Sequence, residues 1–152
     1  MTLEAASACD RLLRAGVPVN NQSVLLKGVN DSVKTQIKLC QGLLKIKVRP
    51  YYLFQCDNVQ GTEHFWTPVE TGVSIIQGMR GFTSGLAVPT FVIDLPNGGG
   101  KIPMQPDYVL ERTAKELIVR NYQGRIIHYQ NPGSVKALPR HSELVCEGAI
   151  PA

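Results

Sequence analysis

Short apolar runs alternate with segments of helical periodicity over the first two-thirds of this sequence, and this alternation constrains the fold more than any other feature. The apolar runs predict strands at residues 23–26, 46–54 and 90–93. Helices are predicted at residues 3–15, from the capping residues 30–32 to residue 44, and from residue 67 through Met79, with Pro68 in the first turn of the last helix. Strands separated by single helices form right-handed βαβ units with parallel strands. The predicted fold class is therefore α/β, with about three βα units.

The pattern changes after Pro106. Residues 117–121 and 126–129 read as two strands joined through Gln123 and Gly124, which predicts a β-hairpin. We therefore divide the chain into three segments: an α/β part over residues 1–106, a β-hairpin extension over 107–132, and a tail over 133–152 that we expect to be mobile.

Charge and cysteine content exclude several classes of protein. The net charge of +4 is spread along the chain, and the tightest basic cluster, Lys45, Lys47 and Arg49, reads as one solvated side of a strand, so we predict no nucleic-acid partner. No apolar run reaches the length of a membrane helix, and charged residues interrupt the amino-terminal segment, so we expect a cytoplasmic protein without a signal peptide. The four cysteines show no paired spacing, which predicts neither a disulfide framework nor a metal site.

The most unusual segment is DLPNGGGKIP, residues 94–103, in which three glycines precede Lys101. Glycines after a strand allow the backbone to approach a phosphate, and the N–H groups of such a loop can bind an anion. A triphosphate-binding loop is excluded because Ile102 and Pro103 follow the lysine, and the dinucleotide-binding pattern does not match either. The plain alternative is a flexible surface loop with a solvated lysine.

The position of this loop favours a phosphorylated cofactor. A lysine beside phosphate-binding N–H groups is what pyridoxal phosphate requires, since the amine must reach the aldehyde while the backbone holds the phosphate. Asp57 and Asp94 each follow a predicted parallel strand, and strand ends are where ligands collect in such sheets. These carboxylates could bind a cationic substrate group, or one of them could act as a base. Each could also be an ordinary capping or loop residue.

Several motifs resemble the C-terminal part of lysine 2,3-aminomutases, which are radical S-adenosylmethionine enzymes that also use pyridoxal phosphate. The similar segments occur in the family's order between about Ala5 and Pro132: GVPVNNQSVLLKGVND, KVRPYYLFQCD, GTEHFWTPV, RGFTSGLAVPTFVID and GGGKIP. The resemblance implies a partial (β/α) barrel of the radical S-adenosylmethionine type. It implies that the amino group of lysine moves from C2 to C3 by a radical mechanism.

The resemblance also implies residue roles. Lys101 matches the lysine that binds pyridoxal phosphate covalently. Our own hypothesis from the glycine-rich sequence is that Asn97, Gly98, Gly99 and Gly100 hold the phosphate. Asp57 and Asp94 match the carboxylates that hold the distal ammonium of substrate lysine, an acidic pair that a glutamate-type aminomutase would lack. Gln22 matches a residue near S-adenosylmethionine. His64 lies in a similar segment, and we interpret it as a structural histidine.

Departures from the family pattern limit what the chain is expected to do. No C-x-x-x-C-x-x-C run, which supplies the ligands of the family's 4Fe-4S cluster, occurs in the 152 residues, so we expect this segment to be inactive alone. Zinc, which some members bind, is not predicted, because Ser32 stands at one ligand position and only Cys146 occurs in the tail. Two alternatives stay open, a non-catalytic phosphate- or partner-binding module and a degenerate inactive fragment. Formation of a homo-oligomer stays open as well.

Overall fold

The computed structural model of this chain describes residues 2–113 and 115–132. The chain divides into two compact units, Met1–Pro106 and Asp107–Ala152. The predicted mobile tail, residues 133–152, lies outside the described residues. Among the residues that are described, no helix combines the length and the apolar character needed to cross a membrane.

The first unit contains three α-helices and a four-stranded sheet. Its elements in chain order are α1 (Leu3–Arg14), β1 (Asn20–Leu25), α2 (Val33–Lys45), β2 (Arg49–Gln55), α3 (Val69–Met79), β3 (Thr90–Leu95) and β4 (Gly100–Pro103), with short 3₁₀ helices at Glu63–Phe65 and Gly85–Ala87. The sheet order is β1-β2-β3-β4, in which β1 and β2, and β2 and β3, pair in parallel. Strand β4 pairs antiparallel with β3. Successive parallel strands joined by helices are what βα units produce. Closure into a barrel stays a prediction.

Local chemistry explains why α2 begins and ends where it does. The Ser32 hydroxyl accepts a hydrogen bond from the Thr35 amide at 3.2 Å and caps the amino end. At the other end, the Ile46 and Lys47 amides donate back to α2 carbonyls, and Lys47 has a positive φ of 60°. Residues 46–48 therefore end the helix and turn the chain before the strand begins at Arg49. The predicted solvated strand side of Lys45, Lys47 and Arg49 is wrong, since only Arg49 lies in β2.

One face of the sheet packs against the helices and forms the core. Leu25, Leu53 and Phe91, from β1, β2 and β3, are fully buried in one cluster with Ile76 and Met79 of α3. Leu53 and Phe91 are register partners in the parallel pair, so they share this face. Fully burying side chains of this size contributes about 1.5–3 kcal/mol each. This packing fixes the positions of the strands whose ends carry the candidate site residues.

A β-bulge interrupts the pairing of β1 with β2. Asn21 pairs with Pro50 and Gln22 pairs with Tyr52, so Tyr51 is an extra residue on β2. Neighbouring residues of a regular strand point to opposite faces, but a bulge removes that alternation locally. The rings of Tyr51 and Tyr52 consequently lie together, with centroids 3.9 Å apart and hydroxyl groups hydrogen-bonded at 3.1 Å.

The second unit is an antiparallel meander. It consists of β5 (Val109–Arg112), β6 (Glu116–Arg120) and β7 (Ile126–Gln130), in the order β5-β6-β7. Strands β6 and β7 stand at the predicted hairpin, and the Asn121 side chain accepts hydrogen bonds from the Gln123 and Arg125 amides in the turn between them. Strand β5 was not predicted, because its four residues, VLER, carry no clear apolar alternation.

Candidate active site

Two carboxylates follow adjacent parallel strands at the same edge of the sheet. Asp57 comes two residues after the end of β2, and Asp94 is the fifth residue of β3. Because the carboxyl ends of parallel strands meet at one edge, the two residues line one open pocket of about 710 Å³. Gln55, Cys56, Thr67 and Ile93 are among the other residues of its lining. The structure thus brings together the two aspartates that the sequence singles out.

The glycine-rich segment is a hairpin turn and not a free loop. Asn97 and Gly98 both have positive φ, 58° and 76°, and the Gly99 amide donates to the Pro96 carbonyl at 3.2 Å. Two central residues with positive φ are what a type I′ hairpin turn requires, and Asn-Gly is its preferred sequence. The turn therefore reverses the chain into β4, which the sequence reading missed. The Gly99 amide is occupied by this turn, so the other backbone groups of the turn are the candidates for holding an anion.

Lys101 lies in β4, directly opposite Asp94 in the antiparallel pair. Its Nζ is 3.1 Å from Oδ1 of Asp94, and the two side chains are 47% and 39% exposed. The same Nζ lies 5.4 Å from the ring centroid of Phe54, within the range of a cation–π contact. The amine is thus held between a carboxylate and an aromatic face while it stays open to solvent. Phe54 was not among the predicted site residues, and only strand register brings it to Lys101.

Register also places Gln22 on the face that carries Lys101. Gln22 pairs with Tyr52, and Phe54 follows two residues later on the same face of β2. Phe54 pairs with Val92, and Asp94 follows Val92 by two residues on β3. Three predicted site residues, Gln22, Asp94 and Lys101, therefore share the sheet face opposite the helix-packed core.

Aromatic side chains cover part of this face. The rings of Tyr52 and Phe54 meet edge to face with centroids 5.6 Å apart. The pKa of Tyr52 is raised above its ordinary value, first by its hydrogen bond with Tyr51 and further by partial burial and the charge of Asp94. Tyr52 therefore stays a neutral hydrogen-bonding group at physiological pH. This face combines aromatic surface with one exposed ion pair.

Hydrogen bonds order the segment that carries Asp57. The Thr62 hydroxyl donates to the Val59 carbonyl at 2.6 Å and lies 3.3 Å from the Asp57 carbonyl. It accepts from the Trp66 indole N–H at 2.9 Å. The Val59 amide donates to the Asp57 carbonyl at 2.8 Å. Thr62 thereby links Trp66 to the turn around Asp57, a role that the sequence GTEHFW did not suggest.

His64, Cys9 and Cys40 lie apart from this pocket, whereas Cys56 is part of its lining. His64 is exposed on a 3₁₀ helix, with its ring centroid 3.9 Å from that of Phe65, and it is absent from the pocket lining. Cys9, Cys40 and Cys56 are free thiols, and burial raises the pKa of Cys40 to about 11. Within residues 2–113 and 115–132, no three histidine, cysteine or acidic side chains are grouped to hold a metal ion. Cys146 lies outside this part of the chain.

Comparison with known proteins relates these features to one family. A family model described as lysine-2,3-aminomutase matches residues 76–148. The chain is 50% identical over 151 residues to the L-lysine 2,3-aminomutase of Bacillus subtilis and 53% identical over 148 residues to that of Clostridium subterminale. These matches cover 99% and 97% of this chain. The chain belongs to the lysine 2,3-aminomutase family.

The chain corresponds to only one part of the lysine 2,3-aminomutases. The chain spans about a third of the length of the curated relatives, 32% of the Bacillus protein and 35% of the Clostridium protein, and it matches their C-terminal portion. A glutamate 2,3-aminomutase of Clostridioides difficile is also similar, at 42% identity over 135 residues. Family members thus include proteins named for an amino acid with a cationic side chain and for one with an anionic side chain.

Proposed function

We propose that this chain is the pyridoxal-phosphate- and substrate-binding part of an aminomutase that moves the α-amino group of L-lysine to the β-carbon. The observation that carries the proposal is the position of the Lys101 amine, 3.1 Å from Asp94, which lines one pocket together with Asp57. The pocket that Asp57 and Asp94 line is open to an amino acid.

Lys101 and its turn fit pyridoxal phosphate. The amine is about half exposed, which leaves it accessible to an aldehyde. Gly98 and Gly100 have positive φ, and a side chain built on either would meet no atom within 4 Å, so a ligand can approach the backbone there. Asn97, Gly98 and Gly100 are our proposed contacts for the phosphate, whereas the Gly99 amide is engaged by the Pro96 carbonyl within the turn. When bound, pyridoxal phosphate supplies an aldehyde for amines and a conjugated ring that can delocalise an unpaired electron.

The acidic residues account for the choice of a cationic amino acid. Asp57 and Asp94 put two negative charges around one pocket, which favours a side chain that ends in an ammonium group and disfavours one that ends in a carboxylate. Lysine has such an ammonium group. One similar protein is named for glutamate, whose side chain is negatively charged. The choice of lysine as the proposed substrate therefore depends on this acidic pair.

S-adenosylmethionine and a 4Fe-4S cluster would start the radical chemistry of such an enzyme. Gln22 is our proposed contact near S-adenosylmethionine, because it is exposed on the face that carries Lys101. The cysteines of this chain do not fit a cluster, since they are widely separated in sequence and the three in the described part form no ligand group. We therefore derive no step through the cluster. The role we assign to this chain is to bind and orient cofactor and substrate.

The experiment that tests this proposal is cofactor labelling of the purified chain. Pyridoxal phosphate is added, borohydride reduces any carbon–nitrogen double bond to a stable amine, and peptide mapping locates the pyridoxyl group. We expect one selective label on Lys101. The Lys101→Ala variant should lose it, whereas Lys38→Ala, at an exposed lysine of α2, should keep it.

Two controls separate the proposed function from simple amine reactivity. Pyridoxal without phosphate should label Lys101 less selectively if the turn holds the phosphate. Asp57→Asn should weaken binding of lysine without removing the label. Equal labelling of all exposed lysines by pyridoxal phosphate would refute the cofactor site and leave a solvated surface lysine as the interpretation.

A further inference from the structure

We propose that Asp94 serves two ammonium groups in turn, first that of Lys101 and then that of a cationic ligand, so that the site binds the ligand more tightly once Lys101 no longer carries a free ammonium group. This inference rests on the proposed function for the identity of the ligand. The geometry that carries it is independent of any cofactor. It concerns the ion pair between Lys101 and Asp94 and the pocket that Asp94 also lines.

Strand register brings the two members of the ion pair together. Asp94 and Lys101 are direct partners in the antiparallel pair of β3 and β4, and directly opposite residues have neighbouring Cβ atoms on the same face. The tight turn at Asn97 and Gly98 fixes this register. The register therefore places the two side chains next to each other, and in this arrangement Nζ of Lys101 lies 3.1 Å from the carboxylate of Asp94.

Asp94 is also the carboxylate that β3 contributes to the pocket. Asp57 lines the same pocket, but no ion pair of Asp57 occurs among the described residues, so this carboxylate is available to a ligand. A ligand ammonium that enters between the two aspartates would meet the positive charge of Lys101 beside Asp94. Like charges this close repel each other, and both would compete for one carboxylate.

Condensation of Lys101 with an aldehyde would remove this conflict. The ammonium first gives a proton to solvent, the neutral amine forms a carbon–nitrogen double bond with the carbonyl carbon, and the carbonyl oxygen leaves as water. The product nitrogen is bonded to the former carbonyl carbon and no longer presents the three N–H donors of an ammonium group, so its hold on Asp94 is weakened. The same carboxylate then joins Asp57 around the pocket. Asp94 thus couples the chemical state of Lys101 to the affinity of the site for a cation.

The test compares variants that keep or remove the charge of Lys101. The probe is Nα-acetyl-L-lysine, which has a side-chain ammonium and no free α-amine, and its dissociation constant is measured by NMR titration of the full chain without cofactor. Lys101→Gln should bind the probe roughly two- to fivefold more tightly than the wild-type chain, the range expected for an exposed ion pair. Lys101→Arg, which keeps the charge, should bind like the wild type.

A double variant tests whether Asp94 carries the effect. Lys101→Gln combined with Asp94→Asn should lose the gain in affinity, because the released carboxylate is gone. Unfolding curves and far-UV circular dichroism identify any variant that does not fold. If the double variant misfolds, the comparison of Lys101→Gln with Lys101→Arg, which changes only an exposed side chain, still decides.

Equal affinity of Lys101→Gln and Lys101→Arg, including no binding by either, overturns the inference. The outcome is distinguishable from failure of the proposed function, which is read from selective labelling by pyridoxal phosphate. Selective labelling with equal affinities would keep the cofactor site and reject the exchange. A charge-dependent affinity without selective labelling would keep the exchange as a property of an ammonium-binding site that uses no cofactor.

Discussion

Replacement of Gly72 by alanine should destabilise the chain, although alanine has a higher helix propensity than glycine. A Cβ at position 72 would lie 2.2 Å from Cζ of Phe91, and that ring is fully buried in the core. Glycine to alanine within a helix stabilises by about 1 kcal/mol. Overpacking of a core costs about 1–3 kcal/mol, and a contact this short belongs at the upper end. The expected net loss of unfolding free energy is about 1–2 kcal/mol.

Urea unfolding followed by circular dichroism measures this loss, and the midpoint should fall by roughly 0.5–1 M. Gly78→Ala in the same helix is the matched control, since its Cβ would lie 2.8 Å from a Val33 methyl group and should cost less. In a Phe91→Leu background the Gly72 substitution should become neutral or stabilising, because the ring is gone. A Gly72→Ala chain as stable as the wild type, or an equal loss in both backgrounds, would refute the packing argument. The prediction matters for the site because Phe91 lies on the strand that carries Asp94.

Three further substitutions test other parts of the structure. Gly98→Ala forces a side chain into positive φ, so it should destabilise the β3–β4 hairpin by about 1 kcal/mol, seen as faster amide hydrogen exchange in β4. Ser32→Ala removes the α2 cap and should cost about 1 kcal/mol in urea unfolding. Burial raises the pKa of Cys40 from 9.0 to about 11, so the unfolded chain loses its thiol proton first and stability should fall between pH 9 and 11. A Cys40→Ala chain should show a smaller fall over that window, by up to roughly 2 kcal/mol, in unfolding curves measured against pH.

The sequence predicted the elements that local patterns specify. The apolar residues of α2 and α3 recur at helical spacing, and Ser32 supplies a cap, so both helices lie close to their predicted positions. Strand β2 was predicted to start too early. The apolar residues Ile46 and Val48 alternate with charges as in a strand, but a positive φ at Lys47 turns the chain there instead.

The candidate site was only partly predictable from the sequence. Asp57 and Asp94 could be placed because strand ends converge in parallel sheets. Strand β4 was missed because the Asn-Gly signal for a hairpin was read as part of a flexible glycine loop. Phe54 was missed because its contact with Lys101 depends on the register of three strands, which no local pattern contains. The assigned roles of cofactor and substrate residues stay predictions until labelling and binding are measured.

In the hairpin between β3 and β4, the contact of Asp94 with Lys101 depends more on the number of residues between them than on which residues these are. Six residues, Leu95 to Gly100, separate Asp94 from Lys101. An insertion or deletion of one residue there would turn the lysine toward the opposite face of the sheet, because side chains alternate with a period of two. A change of two residues would keep the face but move the amine two positions along β4, away from the carboxylate. Over evolutionary time, substitutions at Leu95 and Pro96 should therefore accumulate more readily than any change in the number of residues between the acid and the amine.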